Sequence, residues 1–272
     1  LMLISLGFSF GLLRTVQTTL EPVQFQLGLW QAPFGITLAA DLLSVFMLIM
    51  TQLVLCAGLV YALGSTEKVV QYPTFYPLFL ALSGGLSGAF ITGDIFNLFV
   101  FAEIIVISGA ALTAIADDKY GVEASYKYFY ISTLASVFFL MGVGSLYVAY
   151  GTLNYADLAD RIAENPSAPL GLTGMAFLTA TFLIKGAVFP FHFWQPDFRA
   201  AAPTAVSAML SSLVVKMAVY GVFSMSPLLF ATEADMLKTL LVVLGVVGVL
   251  YGGFGALGTH NAKRMLAYST LA

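Results

Sequence analysis

Cysteine is almost absent from this chain. Cys56 stands alone among 272 residues, so no intrachain disulfide can form and no cysteine-based metal site exists. Charge is equally scarce at 9% of residues, against about 25% in a soluble domain. So few charges cannot clothe a soluble globule of 29.1 kDa, which excludes a soluble enzyme. The net charge of −3 comes with no basic patch, so nothing points to nucleic acid. Only two histidines are present, His192 and His260, and neither a zinc-protease H-E-x-x-H nor a nucleophile elbow G-x-S-x-G occurs. No redox-cofactor motif is visible, and no cofactor is expected. A cleavable signal with a basic front and a small-residue cleavage site is also missing.

What fills the sequence is apolar: 60% hydrophobic residues, with a mean hydropathy of +0.93. A spanning helix needs about 20 mostly apolar residues. Runs of that kind cover Ala39–Gly64, Tyr76–Ile91, Ile95–Ile115, Phe129–Tyr150, Leu170–Phe189, Ala205–Leu229 and Leu237–Leu257. Leu1–Leu13 and Arg264–Ala272 read as partial helices at either end, so the chain is expected to be a portion of a longer all-α polytopic membrane protein. Residues 1–272 form a single transmembrane domain in this reading. Residues 15–37, with alternating Val23–Leu27 and a Pro33/Gly35 break, are expected to form a hairpin loop outside the hydrocarbon. Residues 154–164, polar with Leu158 and Ile162 four apart, are expected to form an interfacial helix. Gly84 with Gly88, and the glycines at 252, 253 and 255, suit close helix packing.

Lysines and arginines sort by alternate loops into Lys68, Lys119, Lys127, Arg199, Lys263 and Arg264 on one side, and Arg14, Arg161 and Lys238 on the other. The larger set is expected to face the cytoplasm, which places the hairpin and the 154–164 helix outside.

Three ionisable residues lie inside apolar runs: Glu103, Lys185 and Lys216. Each costs about 2.5–3.5 kcal/mol at a helix centre on insertion scales. A static ion pair would require two such groups; a third, on a third helix, points to a proton or ion pathway. Lys185 precedes Pro190 and Pro196, which break the helix and free backbone carbonyls, as in the ion sites of transporters. His192, within that break, titrates near neutrality if unperturbed and suits a secondary proton path, as does Lys127 near its helix end. Asp94 and Glu103 are nine residues apart and face opposite sides of a helix, so Asp94, like Asp41, reads first as a helix cap. Together with Glu103 it is also a loose candidate for binding a cation. Thr181 and Ser212 stand four residues before the two buried lysines and are expected to be their hydrogen-bond partners.

The stretches TGDIFNLFVFAE (Thr92–Glu103) and LWQAPFGI (Leu29–Ile36) resemble the D subunit of Mrp-type multisubunit Na⁺/H⁺ antiporters. KGAVFPFHFWQPDFRAAAP (Lys185–Pro203) and SSLVVKMAVYG around Lys216 resemble the wider antiporter-like group, including the proton-pumping membrane subunits of respiratory NADH:quinone oxidoreductase and of membrane-bound hydrogenases. The resemblance implies a portion of a fourteen-helix fold of two inverted repeats. It also implies proton transfer through Glu103, Lys185 and Lys216, Na⁺ and H⁺ as transported ions, neighbouring membrane subunits as partners, and residence in the cell membrane. His192 fits the respiratory subunits better, whereas the 29–36 motif fits Mrp. Two alternatives stand beside the antiporter: a proton-pumping subunit of a redox complex, and a non-transporting scaffold, against which the intact Glu103, Lys185 and Lys216 argue.

Overall fold

The computed structural model describes residues 1–229 and 234–272. In chain order its elements are α1 (Met2–Thr19), β1 (Val23–Gln26), β2 (Thr37–Ala40), α2 (Leu42–Gly64), α3 (Phe75–Ile91), α4 (Ile95–Ala114) and α5 (Lys119–Tyr150). They continue as α6 (Tyr155–Glu164), α7 (Pro169–Lys185), α8 (Trp194–Ala201), α9 (Thr204–Met209), α10 (Val215–Leu229), α11 (Ala234–Leu257) and α12 (Ala262–Leu271). Among the described residues five helical stretches are long and apolar enough to cross a membrane: α2, α4, α5, Thr204–Ser226 (α9 into α10) and α11. Helices α3 and α7 are shorter apolar helices of 17 residues each.

Short polar residues set the helix starts. Asp41 and Ser44 form a reciprocal capping box at α2, and the Asp94 carboxylate accepts from the Asn97 N–H at 2.8 Å at α4. Asp118, Asn154 and Asn261 cap α5, α6 and α12 in the same way. Each side-chain oxygen satisfies an N–H that the first helical turn leaves free. Pro169 opens α7, where its missing N–H is harmless.

Three boundaries differ most from the apolar runs. Helix α1 continues through Thr19, because turns of Thr and Gln can extend a helix past the apolar stretch. Helix α5 begins ten residues before Phe129, at Lys119, where Asp118 supplies the cap. Helix α7 stops at Lys185 rather than at Phe189: Ala187 adopts a left-handed φ of 52°, and the N–H groups of Ala187 and Val188 bond back to the carbonyls of Ile184 and Leu183, closing the helix before Pro190. A single turn at Phe191–Phe193 and the short α8 follow before Pro203.

The core forms where α5 packs along α4 and α7, and α3 along α4; Phe79, Leu82, Leu86, Leu98, Phe139, Leu146 and Leu178 are all buried there. Within lipid, helices associate through close packing and hydrogen bonds rather than through expulsion of water. Gly88 seats the ring of Phe101, and Gly252 lets α11 meet the backbone of α12 at Tyr268; Gly84 and Gly253 have no such neighbour. Interhelix hydrogen bonds add Gln52 to Ser87 at 2.8 Å, and Ser125 to the Ala110 carbonyl at 2.7 Å. At one end of the bundle β1 and β2 pair antiparallel, with Val23 opposite Ala40, and the Thr37 carbonyl accepts from Gly93 N–H at 2.8 Å. Asn154 reaches Thr37 at 3.1 Å, tying the sheet to the start of α6.

Candidate functional site

Helices α4, α5 and α7 bring Glu103, Ser136 and Lys185 together. Lys185 Nζ lies 3.5 Å from Glu103 Oε1 and donates to Ser136 Oγ at 3.3 Å. Ser136 in turn donates to Glu103 Oε1, with the Ser132 carbonyl 2.9 Å away as its other acceptor. The lysine is buried, at 7% exposure, while the glutamate keeps 30%. The carboxylate therefore sits toward the flank of the bundle and the ammonium inside it, with one hydroxyl touching both. Lys185 is the last residue of α7, so the charge is placed where the helix stops.

The hydroxyls expected to serve the lysines do not. Thr181 Oγ1 donates to the carbonyls of Phe177, at 2.9 Å, and of Ala135, at 3.2 Å. Ser212 Oγ donates to the Ala208 carbonyl at 2.7 Å. A hydroxyl inside a helix finds the carbonyl one turn back more readily than a side chain one turn ahead. Ser136 takes the role instead, from a different helix; no spacing in the sequence ties positions 103, 136 and 185.

Lys216 is separate from this cluster. Its ammonium has no carboxylate within 4 Å among the described residues. It lines a cavity of about 270 Å³ together with His192, Tyr251 and Thr270. A void of about 10 Å³, close to the smallest that holds one water, touches Lys185, Tyr128 and Ser132 on one side and Val214 and Met217, the neighbours of Lys216, on the other. A π-helical turn at Leu210–Val214 precedes Lys216; such turns often accompany functional positions. His192 is buried, its ring edge-on to Tyr251 at 4.1 Å between centroids, and its Nδ1 has no partner.

The other residues singled out in the sequence lie elsewhere. Lys127 is at the surface, 2.7 Å from Glu123 and 3.4 Å from Asp197, which also pairs with Arg264. Asp94 is occupied at the cap of α4, and nine residues of helix put Glu103 about 13 Å further along the axis. Arg199, grouped by sequence with the loop cations, is in fact 1% exposed. Prolines on both sides of its stretch make it read as a loop, whereas the structure folds it inward as α8.

Apolar helices, an ion pair at a helix break and a second lysine on a largely apolar cavity together define a multi-pass membrane protein with ionisable groups within its helices. The transmembrane family model of the NADH:quinone oxidoreductase/Mrp antiporter matches residues 92–272. The chain belongs to that family. It is 34% identical over 275 aligned positions to the D subunit of the Na⁺/H⁺ antiporter of Alkalihalophilus pseudofirmus, covering all of this chain (100%) and 54% of that one. It is 36% identical over 260 positions to the N subunit of the NADH-quinone oxidoreductase of Desulforudis audaxviator, covering 93% of this chain and 51% of that one. Its structure superposes with a TM-score of 0.90 on a chain of the Mrp complex from Dietzia sp. DQ12-45-1b, at 28% identity, covering 99% of this chain and 50% of that chain. The chain thus spans about half the length of the curated relatives it matches.

Proposed function

We propose that this chain is the proton-handling part of an ion-translocating subunit of a multisubunit Na⁺/H⁺ antiporter in the cell membrane. The observation that carries the reading is the Glu103–Ser136–Lys185 cluster at the end of α7. At 3.5 Å and an effective dielectric near 20, such a pair attracts by about 5 kcal/mol before desolvation. Closed, the pair holds the lysine charged; opened, burial without a counter-charge favours the neutral amine, and the proton leaves. The water-sized void leads from Lys185 to the Lys216 segment, and the larger cavity leads on to His192. The seven apolar runs serve as spans of a fourteen-helix, inverted-repeat subunit, with neighbouring membrane subunits around it. The hairpin of residues 15–37 and the helix of residues 154–164 lie on the outer side in this reading.

Full-length subunit carrying Glu103→Gln, in its complex in everted vesicles, tests the reading by dye-monitored ΔpH on cation addition. Exchange falls to the level of vesicles without the complex while assembly persists, because an amide cannot hold Lys185 charged. Near-normal exchange removes the ion-pair switch.

The second reading, a redox-driven proton-pumping subunit, is favoured by His192 and by the similarity to the N subunit of an NADH-quinone oxidoreductase. Cation-dependent ΔpH without any electron donor supports the antiporter; pumping that requires a donor supports the redox complex.

A further inference from the structure

The water-sized void beside Lys185 is lined by few polar groups. Among the described residues, only the side chains of Lys185, Tyr128 and Ser132 bring oxygen or nitrogen to it. Helix α4 adds Ala102, Ile105 and Val106, and Val214 and Met217 close the far wall. All three polar side chains are buried. Tyr128 and Ser132 stand one turn apart on α5, and Ser136 follows one turn further on, so the three hydroxyls share a face. The Tyr128 ring is fixed by stacking on Phe198, at 4.0 Å between centroids, and by Trp194 at 5.1 Å. Its hydroxyl end lies toward Gly109 of α4, one turn beyond the Ile105 and Val106 wall of the void.

A lysine ammonium has three N–H donors and no acceptor. Lys185 spends two of them, toward Glu103 Oε1 at 3.5 Å and toward Ser136 Oγ at 3.3 Å. Among the described residues the third has no protein acceptor, and the lysine borders the void. A water in that space accepts from the third N–H and donates to the hydroxyl oxygens of Tyr128 and Ser132. That makes three hydrogen bonds, the usual number for a buried water, in a space of about 10 Å³ that suits one molecule. The remaining walls are apolar and offer it no competing partner.

We propose that the void is a binding site for a single water, held by Lys185, Tyr128 and Ser132, and that this water takes the lysine's proton when the ion pair opens. Tyr128 and Ser132 are thereby positioning residues for the acceptor. This rests on the proton path proposed above and names the group that receives the proton at its first step. An N–H bond of the ammonium breaks as an O–H bond forms on the water, leaving a neutral amine and a hydronium. Tyr128 and Ser132 keep their own protons and accept hydrogen bonds from the hydronium, which gives a proton to the next carrier and is water again. Hydrogen bonds donated by a cation are roughly twice as strong as neutral ones, so the two hydroxyl oxygens favour the protonated water at the moment of transfer.

The test is cation-driven ΔpH in everted vesicles carrying the full-length subunit in its complex, measured in H2O and in D2O. Tyr128→Phe keeps the stacked ring and removes one partner of the water. Exchange falls on the order of tenfold with assembly intact, and the slowing in D2O grows relative to wild type because proton release has become the slow step. Ser132→Ala behaves in the same way, and Ser132→Thr restores the hydroxyl and most of the exchange. Ala102→Val, whose added methyl groups occupy the void while both hydroxyls remain, also slows exchange. An assembled Tyr128→Phe variant with exchange within about twofold of wild type, or slowed with the wild-type D2O ratio, overturns the proposal. If Tyr128→Phe does not assemble, Ser132→Ala read by the same two measures decides. Full exchange in an assembled Ala102→Val variant overturns the water site equally. Glu103→Gln is measured alongside. Normal exchange there discards the path itself, whereas lost exchange there with an unaffected Tyr128→Phe discards only the water site.

Discussion

The two lysines within the apolar helices, Lys185 and Lys216, have different surroundings. Lys185 has a carboxylate at 3.5 Å and a hydroxyl at 3.3 Å, on two other helices. Among the described residues Lys216 has neither; it is half-buried and lines a cavity with His192 and Tyr251. A buried charge is tolerated when paired and hydrogen-bonded, and is otherwise expensive. In the proposed path the first site keeps the proton and the second passes it on. A water-sized void lies between Lys185 and the segment around Lys216, which is where the proposed path would cross.

Breaking the contrast at its paired end, as Glu103→Gln does, carries the largest expected effect. Next comes Lys216→Arg. Guanidinium stays charged, so a station that must become neutral fails, and exchange drops at least about tenfold with assembly intact. Lys216→Met separates the readings from the other direction, since a lysine that only packs is often replaced by a hydrophobe without harm or with gained stability. Wild-type exchange in Lys216→Arg, measured as ΔpH, shows that Lys216 is no station. Ser136→Ala ranks third. It removes the hydroxyl shared by both members of the pair but leaves the pair, and a hydrogen bond to a charged group contributes about 1.5–3 kcal/mol. Exchange falls on the order of tenfold, and Ser136→Thr recovers most of it; an Ala variant with full exchange shows that the bridge is idle.

The paired site was legible in outline. Glu103, Lys185 and Lys216 stand out because an ionisable residue in an apolar run is costly and rare, and Pro190 marks the break beside Lys185. Ser136 was not legible: serines are ordinary in membrane helices, and its meeting with positions 103 and 185 depends on how α4, α5 and α7 pack. Arg199 was misread for the opposite reason. Among Asp197, Gln195 and two prolines it looks like a solvated loop, and only the fold turns it inward. Helix starts at Asp41, Asp94 and Asn154 were readable because capping is local, whereas the end of α1 at Thr19 was not, since helices extend beyond their apolar stretch.

The smallest effect belongs to Thr181→Val, and it sharpens the contrast between a hydroxyl that serves the site and one that only adjoins it. Thr181 lies one turn before Lys185 on α7 and is fully buried, so from the sequence it is a better candidate than Ser136. Its hydroxyl is committed to two backbone carbonyls, one of its own helix and one of α5. Valine keeps the shape and loses the interhelix bond, which within a membrane averages about 0.6 kcal/mol. The thermal midpoint of the complex should drop slightly while exchange changes by less than about twofold, against the order-of-magnitude loss for Ser136→Ala. Equal losses in the two variants, read in the same vesicles, would mean that both hydroxyls act through the packing of α5 on α7 and that the shared hydrogen bond of Ser136 has no separate role.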